Sequence, residues 1–223
     1  MESDVNSSAA TSAYAGQTLS ERAYTTLRDM IVTLEIPPGS PIHEERIGRS
    51  IEVGRTPMRE AIKRLEAEDL VVIYPRRGTF ASDINITDHG LIAEVRRHLE
   101  GQAARSAAVR ATDVERAELA ELADRIGGQR DHASMMRLDT EIHRAIYHCT
   151  GNRYLEATLN HYYNLTLRIW YLFLARLSGM SEHVADHEHL LRAIIAGDGD
   201  DATRIATAHV DQFENAVFAA LRE

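Results

Sequence analysis

Cysteine is almost missing from this chain: Cys149 stands alone among 223 residues. No intrachain disulfide can form, which fits a reducing compartment and sets aside the stapled secreted scaffolds. Long hydrophobic runs are missing as well. The longest, residues 169–175, covers a turn or two of helix, far short of the roughly 20 residues a membrane span needs. Near the N-terminus, Glu2 and Asp4 stand where a secretion signal carries positive charge, and no apolar segment follows. The expectation is a cytoplasmic protein with no membrane partner. Positive charge is also in deficit, with 25 Lys and Arg against 34 Asp and Glu and a formal net charge of -9. That balance argues against a generally sticky binder of polyanions. The deficit is uneven, however. Residues 18–83 hold ten basic and eleven acidic side chains, whereas residues 84–223 hold fifteen against twenty-one. The length suits two modest domains, and an apolar fraction of 44% is enough to build their cores.

Against this acidic background one stretch runs the other way. Arg55, Arg59 and Lys63 recur every four residues and so share one face of a helix. Met58, Ala61, Ile62 and Leu65 fall at i, i+3, i+4 and i+7 and form the opposite, buried stripe. Thr56 is placed to cap this helix, with Pro57 at the first helical position, where its missing N–H is harmless. A buried back and a basic front suit a helix laid in a DNA groove, and Arg is the usual reader of guanine edges. Taken alone, these residues fit an ordinary solvated helix equally well.

The neighbours extend the pattern. Residues 1–17 are rich in Ser, Ala and Thr without apolar periodicity and read as a disordered arm. Thr18 and Glu21 make a capping box that opens a first helix, which Pro37-Pro38-Gly39 ends. A second, shorter helix is expected over residues 42–50, and a tight turn at Glu52-Val53-Gly54 leads to the basic helix. This is a helix-turn-helix. Val71-Val72-Ile73-Tyr74, then Pro75-Arg76-Arg77-Gly78, then Thr79-Phe80-Ala81 reads as strand, turn, strand. A basic hairpin beside a helix-turn-helix is a wing, set to touch the sugar-phosphate backbone or the minor groove. Beyond residue 83 the period is helical throughout. Thr87 is expected to cap a helix to about residue 110, and Thr112 with Glu115 forms a second capping box. Further helices are expected near residues 133–149, 154–177 and 182–196, and from about residue 200 to the end. The fold expected is mainly α: a winged helix-turn-helix over residues 18–83 and an all-α bundle of about six helices over residues 84–223. Residues 84–87 are expected to act as a short hinge between them.

Pro38-Gly39, the run from Gly54 through Arg55-Thr56-Pro57-Met58-Arg59-Glu60-Ala61, Arg64-Leu65-Glu66 and Arg77-Gly78-Thr79-Phe80 together resemble the N-terminal domain of the GntR family of bacterial transcription regulators. Glu94-Val95-Arg96, Leu99-Glu100, Asp139 with His143, Gly151-Asn152, His187, Gly197-Asp198 and His209 resemble the helical effector domain of its FadR subgroup. The resemblance implies DNA contacts from Arg55, Thr56, Arg59 and Lys63, with the wing contributing Arg77 and Gly78. Arg46 is a further DNA candidate. It adjoins Glu45, which stands where some relatives carry arginine, and Glu52 replaces a glycine common in the turn.

Asp139 and His143 stand one helical turn apart, while His187 and His209 lie on two later helices. By spacing alone such a pair also fits a surface or capping interaction. The resemblance implies that these four residues bind a divalent ion, zinc, nickel or manganese, and one carboxylate with three imidazoles suits such borderline metals. His183 and His189 flank His187, which matches the family spacing to Gly197. Arg96 is the candidate for pairing with an effector carboxylate, with Asn152 and Arg168 as lesser candidates; a surface ion pair with Glu94 or Glu100 is the plainer role for Arg96. Tyr162, Tyr163 and Trp170 read as core or dimer contacts. The function implied is a homodimeric repressor that binds a palindromic double-stranded operator and answers to a small organic acid. The alternative is a metal-dependent hydrolytic enzyme using the Asp and three His to activate water. Against it, the chain has no H-E-x-x-H motif and no obvious general base.

Overall fold

A computed structural model describes residues 17–129, 131–174 and 180–220. The expected arm therefore lies outside the described residues, except for Gln17, as does the expected extension of one helix to residue 177. The chain divides into two compact units between Ile84 and Asn85.

The first unit is a winged helix-turn-helix. Its helices are α1 (Leu19–Val32), α2 (Glu44–Ser50) and α3 (Arg55–Ala67). Its strands, β1 (Val71–Tyr74) and β2 (Gly78–Ala81), pair antiparallel with Val71 opposite Ala81 and Tyr74 opposite Gly78. The capping box at the start of α1 forms as the sequence suggests: Thr18 Oγ1 accepts from the Glu21 N–H at 3.1 Å, and the Thr18 N–H donates to Glu21 Oε2 at 3.0 Å. α1 packs on α3, burying Ala23, Leu27 and Ile31 together with Met58, Ala61, Ile62 and Leu65. Two details differ from expectation. α2 begins at Glu44 because the preceding residues are extended, with Pro41 bridged to Phe80. α3 is capped by Gly54, with no side-chain cap. Thr56 lies inside the helix, and Pro57 stays within the first turn, whose N–H groups have no intrahelical partner in any case. Gly48 lets α2 and the turn approach closely, since a Cβ there would come within 2.8 Å of the Val53 carbonyl oxygen.

The second unit is entirely helical among the described residues: α4 (Asp88–Arg110), α5 (Asp113–Asp124), α6 (His132–Cys149), α7 (Arg153–Phe173), α8 (Met180–Ala196) and α9 (Gly199–Ala220). α4 is the axis, packed against α6, α7, α8 and α9. Its buried residues include Ala93, Gly101, Ala103, Ala104, Ala107 and Ala108. These small side chains admit close neighbours, and at Gly101 a Cβ would stand 3.0 Å from Thr207 Oγ1 of α9. Thr87 does not cap α4 through its side chain. Its N–H and hydroxyl instead donate to Asn85 Oδ1, while Asn85 Nδ2 donates to Asp88. The backbone of Thr87 is already helical, which turns its hydroxyl away from the orphan N–H groups. Thr112 and Glu115 do form their capping box. No helix among the described residues is long and apolar enough to cross a membrane.

Candidate metal centre and nucleic-acid interface

Three helices bring Asp139 and His143 (α6), His187 (α8) and His209 (α9) to one point inside the second unit. All four are buried, and one ligand atom from each lies within 4.8 Å of the others. The i, i+4 spacing on α6 puts Asp139 and His143 on the helix face turned inward, beside buried Met136, Ile142 and Ile146. His143 Nε2 and His187 Nε2 are 3.3 Å apart. Two nitrogen lone pairs at that distance repel unless a proton or a cation lies between them. Two donors bound at 2.0–2.1 Å to one tetrahedral zinc ion would stand about 3.3 Å apart. Asp139 Oδ1 is 3.6 Å from His187 Nε2 and 3.9 Å from His143 Nε2. Asp139 Oδ1 and His209 Nδ1 are buried without hydrogen-bond partners. A carboxylate oxygen and imidazole nitrogens converging in this way fit a divalent cation.

The surrounding groups aim these donors. Tyr163 Oη donates to Asp139 Oδ2 at 2.5 Å, leaving Oδ1 to face the histidines. On the other side, Arg96 Nε and Nη2 donate to Glu100 Oε1 at 3.1 and 2.6 Å, and Tyr147 Oη donates to the same oxygen at 2.5 Å. With its proton committed to Glu100, the Tyr147 oxygen can only accept from His143 Nδ1–H, which lies 3.2 Å away. That fixes the tautomer and turns the Nε2 lone pair inward. The electrostatics favour the ligand-competent forms. Burial pushes Asp139 upward, but His143, His183 and His187 outweigh it and hold the carboxyl well below its usual range. Burial lowers His187 to about 3 and drives His209 well down. Glu100, raised by burial but drawn down further by Arg96 and His143, sits at about 2. Near neutral pH the carboxylates are therefore ionised, and His187 and His209 are free of the proton that a metal would have to displace.

A narrow cavity at this point is lined by Arg96, Asp139, His143, Tyr163, Trp170, His183, His209, Val210 and Phe213, with room for roughly one water molecule. Arg96 does line it, yet its partner is the buried Glu100 and not a surface acid. Asn152 does not reach the cavity. It caps α7, accepting from the Tyr154 and Leu155 N–H groups. Arg168 is buried on α7 outside the cavity lining. Sequence reasoning missed Tyr147, Phe213 and the inward roles of Tyr163, Trp170 and His183. Tyr147 was within reach, because it extends the i, i+4 series from Asp139 and His143. So was His183, one turn before His187.

In the first unit, α3 buries Met58, Ala61, Ile62 and Leu65 and exposes Arg55, Thr56, Arg59 and Lys63. Arg55 Nη2 is paired with Glu45 on α2 at 2.7 Å. Arg46 is exposed on α2. Arg64 is committed elsewhere, lying over the Tyr24 ring at 3.6 Å and bonded to Glu68. The wing tip carries Arg76 at φ 63° and Gly78 at φ 103°, with the Arg77 guanidinium 5.3 Å from the Tyr74 ring. All three tip residues are exposed.

Comparison with known proteins agrees with both halves. Residues 19–81 match the family model of bacterial regulatory proteins, gntR family, and residues 91–212 match that of the FCD domain. The chain is 27% identical over 197 residues to the Nta operon transcriptional regulator of Aminobacter aminovorans, covering 86% of this chain and 91% of that one. It is 25% identical over 204 residues to the HTH-type transcriptional repressor RspR of Escherichia coli, covering 90% of each. Among solved structures it is similar in fold to E. coli McbR/YncC, with a TM-score of 0.76 at 17% identity over 91% of this chain and 98% of that one. These domains and relatives belong to transcription regulators, not enzymes, which sets aside the hydrolytic alternative.

Proposed function

The chain belongs to the gntR family of bacterial regulatory proteins and carries an FCD domain, and from this premise we propose that it is a homodimeric, metal-containing repressor released or tightened by a small carboxylic acid. The winged helix-turn-helix of this family binds operator DNA. In our reading Arg55, Thr56, Arg59 and Lys63 of α3 enter the major groove, with Arg46 beside them and Arg77 and Gly78 of the wing on the backbone. Two copies would place their α3 helices in successive major grooves of a palindromic operator. The E. coli relative named as a repressor supports the direction of control.

Asp139, His143, His187 and His209 would hold zinc, nickel or manganese. When bound, the ion supplies positive charge and a coordination position for an oxyanion. The observation that carries this reading is the convergence of four buried donors from three helices, with unpartnered Asp139 Oδ1 among them. Arg96 stands next to the same cavity, but an effector carboxylate reaching it must take the place of Glu100. Such an exchange would also release Tyr147 and His143, and so offers two discrete arrangements of the bundle. Since α4 carries Arg96 and begins four residues after the unit boundary, a shift of α4 would act on residues 84–87 as a hinge. Elemental analysis of protein purified without chelator tests the metal, with roughly one ion per chain expected for one four-donor set. A thermal-shift screen of small carboxylic acids, with and without chelator, tests the effector. No metal in the purified protein, together with no uptake of zinc, nickel or manganese, removes the centre from this account.

A further inference from the structure

We propose that His183 is a fifth protein ligand of this centre, a reading that rests on Asp139, His143, His187 and His209 being the other four. Four donors are already enough for a closed tetrahedral site. A fourth imidazole nevertheless lines the same cavity. His183 precedes His187 by one turn of α8, so the two rings leave the helix on one face. Its Nε2 is 3.6 Å from Asp139 Oδ1, the same distance as His187 Nε2, with His143 Nε2 at 3.9 Å. Three imidazole nitrogens thus converge on one buried oxygen that accepts no hydrogen bond. A separation of 3.6 Å is too long for a hydrogen bond, yet it is close to the spacing of two donors around one ion. The ring is also held in place. It stacks on His209, with centroids 3.9 Å apart and planes at 28°, and lies 4.6 Å from the Trp170 ring. Its side chain is only 12% exposed.

Five protein donors change what the centre can take. A tetrahedral ion has no place for the fifth, so the set favours ions that accept five or six donors, such as nickel or manganese, over zinc. An octahedral ion then keeps one open position where four donors would leave two. The exogenous ligand class that fits is a carboxylate binding through a single oxygen, and a hydroxy acid chelating through two oxygens is excluded while His183 stays bound.

The test uses the full chain loaded with nickel or with cobalt(II). X-ray absorption of the nickel form should count four imidazoles in the wild type and three in His183→Ala. The weak visible bands of five- or six-coordinate cobalt should change in His183→Ala, and metal affinity in a chelator competition should fall roughly ten- to a hundredfold. His189→Ala, an exposed position on the same helix, should alter none of these, and circular dichroism reports whether each variant is folded. Three imidazoles in the wild type overturn the proposal without any variant being needed, and so does a cobalt spectrum unchanged in folded His183→Ala. A wild type that takes up no metal at all overturns the four-ligand reading along with it, and elemental analysis of the wild type tells that outcome apart.

Discussion

Glu52 occupies the left-handed region, at φ 55°, in the turn between α2 and α3. An L-residue there carries about 1–2 kcal/mol of steric strain, and glycine carries none. Glu52→Gly should therefore raise stability by roughly 0.5–1 kcal/mol after the extra chain entropy of glycine is deducted. The pairing it loses, Arg22 at 3.8 Å from a side chain 89% exposed, is worth little. A urea midpoint that falls in this variant would contradict the argument. His89 is a second residue with a price, since it is 1% exposed with neither ring nitrogen hydrogen-bonded. It packs edge-on against Phe213 and Phe218. Burial, with a smaller push from Arg96, lowers its pKa to about 4. As the pH falls below about 6.5 the unfolded chain takes up this proton while the folded chain does not, so stability drains away between those two values. Between pH 7 and 5 the loss should be about 2 kcal/mol. His89→Leu should flatten that slope, compared at equal metal loading because His187 is lowered in the same direction. Identical pH slopes in the two proteins would show that His89 is protonated equally in both states.

At the scale of elements, α3 separates its duties by face. Arg59 is exposed and points away from the buried Met58, Ala61 and Leu65. Arg59→Ala should leave folding intact and weaken specific operator binding by about 1–3 kcal/mol, as loss of one base contact does. Arg77→Ala on the wing should weaken binding more evenly across sequences. Arg64, although basic and on the same helix, is turned to Tyr24 and Glu68. Its alanine variant should lose stability while keeping operator preference. Gel-shift titrations at one fixed physiological salt concentration decide among the three. Normal operator binding by Arg59→Ala would remove α3 from the interface.

For the whole molecule, anything bound only by the native state raises its apparent stability. A metal at 100 times its dissociation constant should add about 2.7 kcal/mol to the helical unit. Chelator should lower the melting temperature of the wild type by more than that of His143→Ala, whose metal is held more weakly. If chelator shifts both equally, the ion lies elsewhere. Coupling between the units follows the same accounting. An effector that changes operator affinity by about 1–3 kcal/mol must have its own affinity changed by the same factor when operator is bound. Titrating the effector into free and operator-saturated protein measures this. Equal affinities would leave the metal as a structural pin and the helical unit without a regulatory ligand.

The sequence by itself determined whatever depends on near neighbours. Apolar spacing located the helices, and the Thr18–Glu21 and Thr112–Glu115 boxes marked two of their starts, because a capping box involves residues only three apart. Thr56 and Thr87 have the same chemistry and do not cap, because capping also needs an extended backbone, and that backbone is set by neighbouring segments. Arg96 and Glu100 were legible as an i, i+4 pair, but whether such a pair lies in water or in the core depends on what packs over it. The tertiary structure put α6, α7, α8 and α9 around α4. Only that packing could aim Tyr163 at Asp139, route Glu100 through Tyr147 to His143, and bring His183 against His209. Each of these contacts except Tyr147 to His143 joins different helices, and no periodicity along a single helix records which neighbour its inward face will meet.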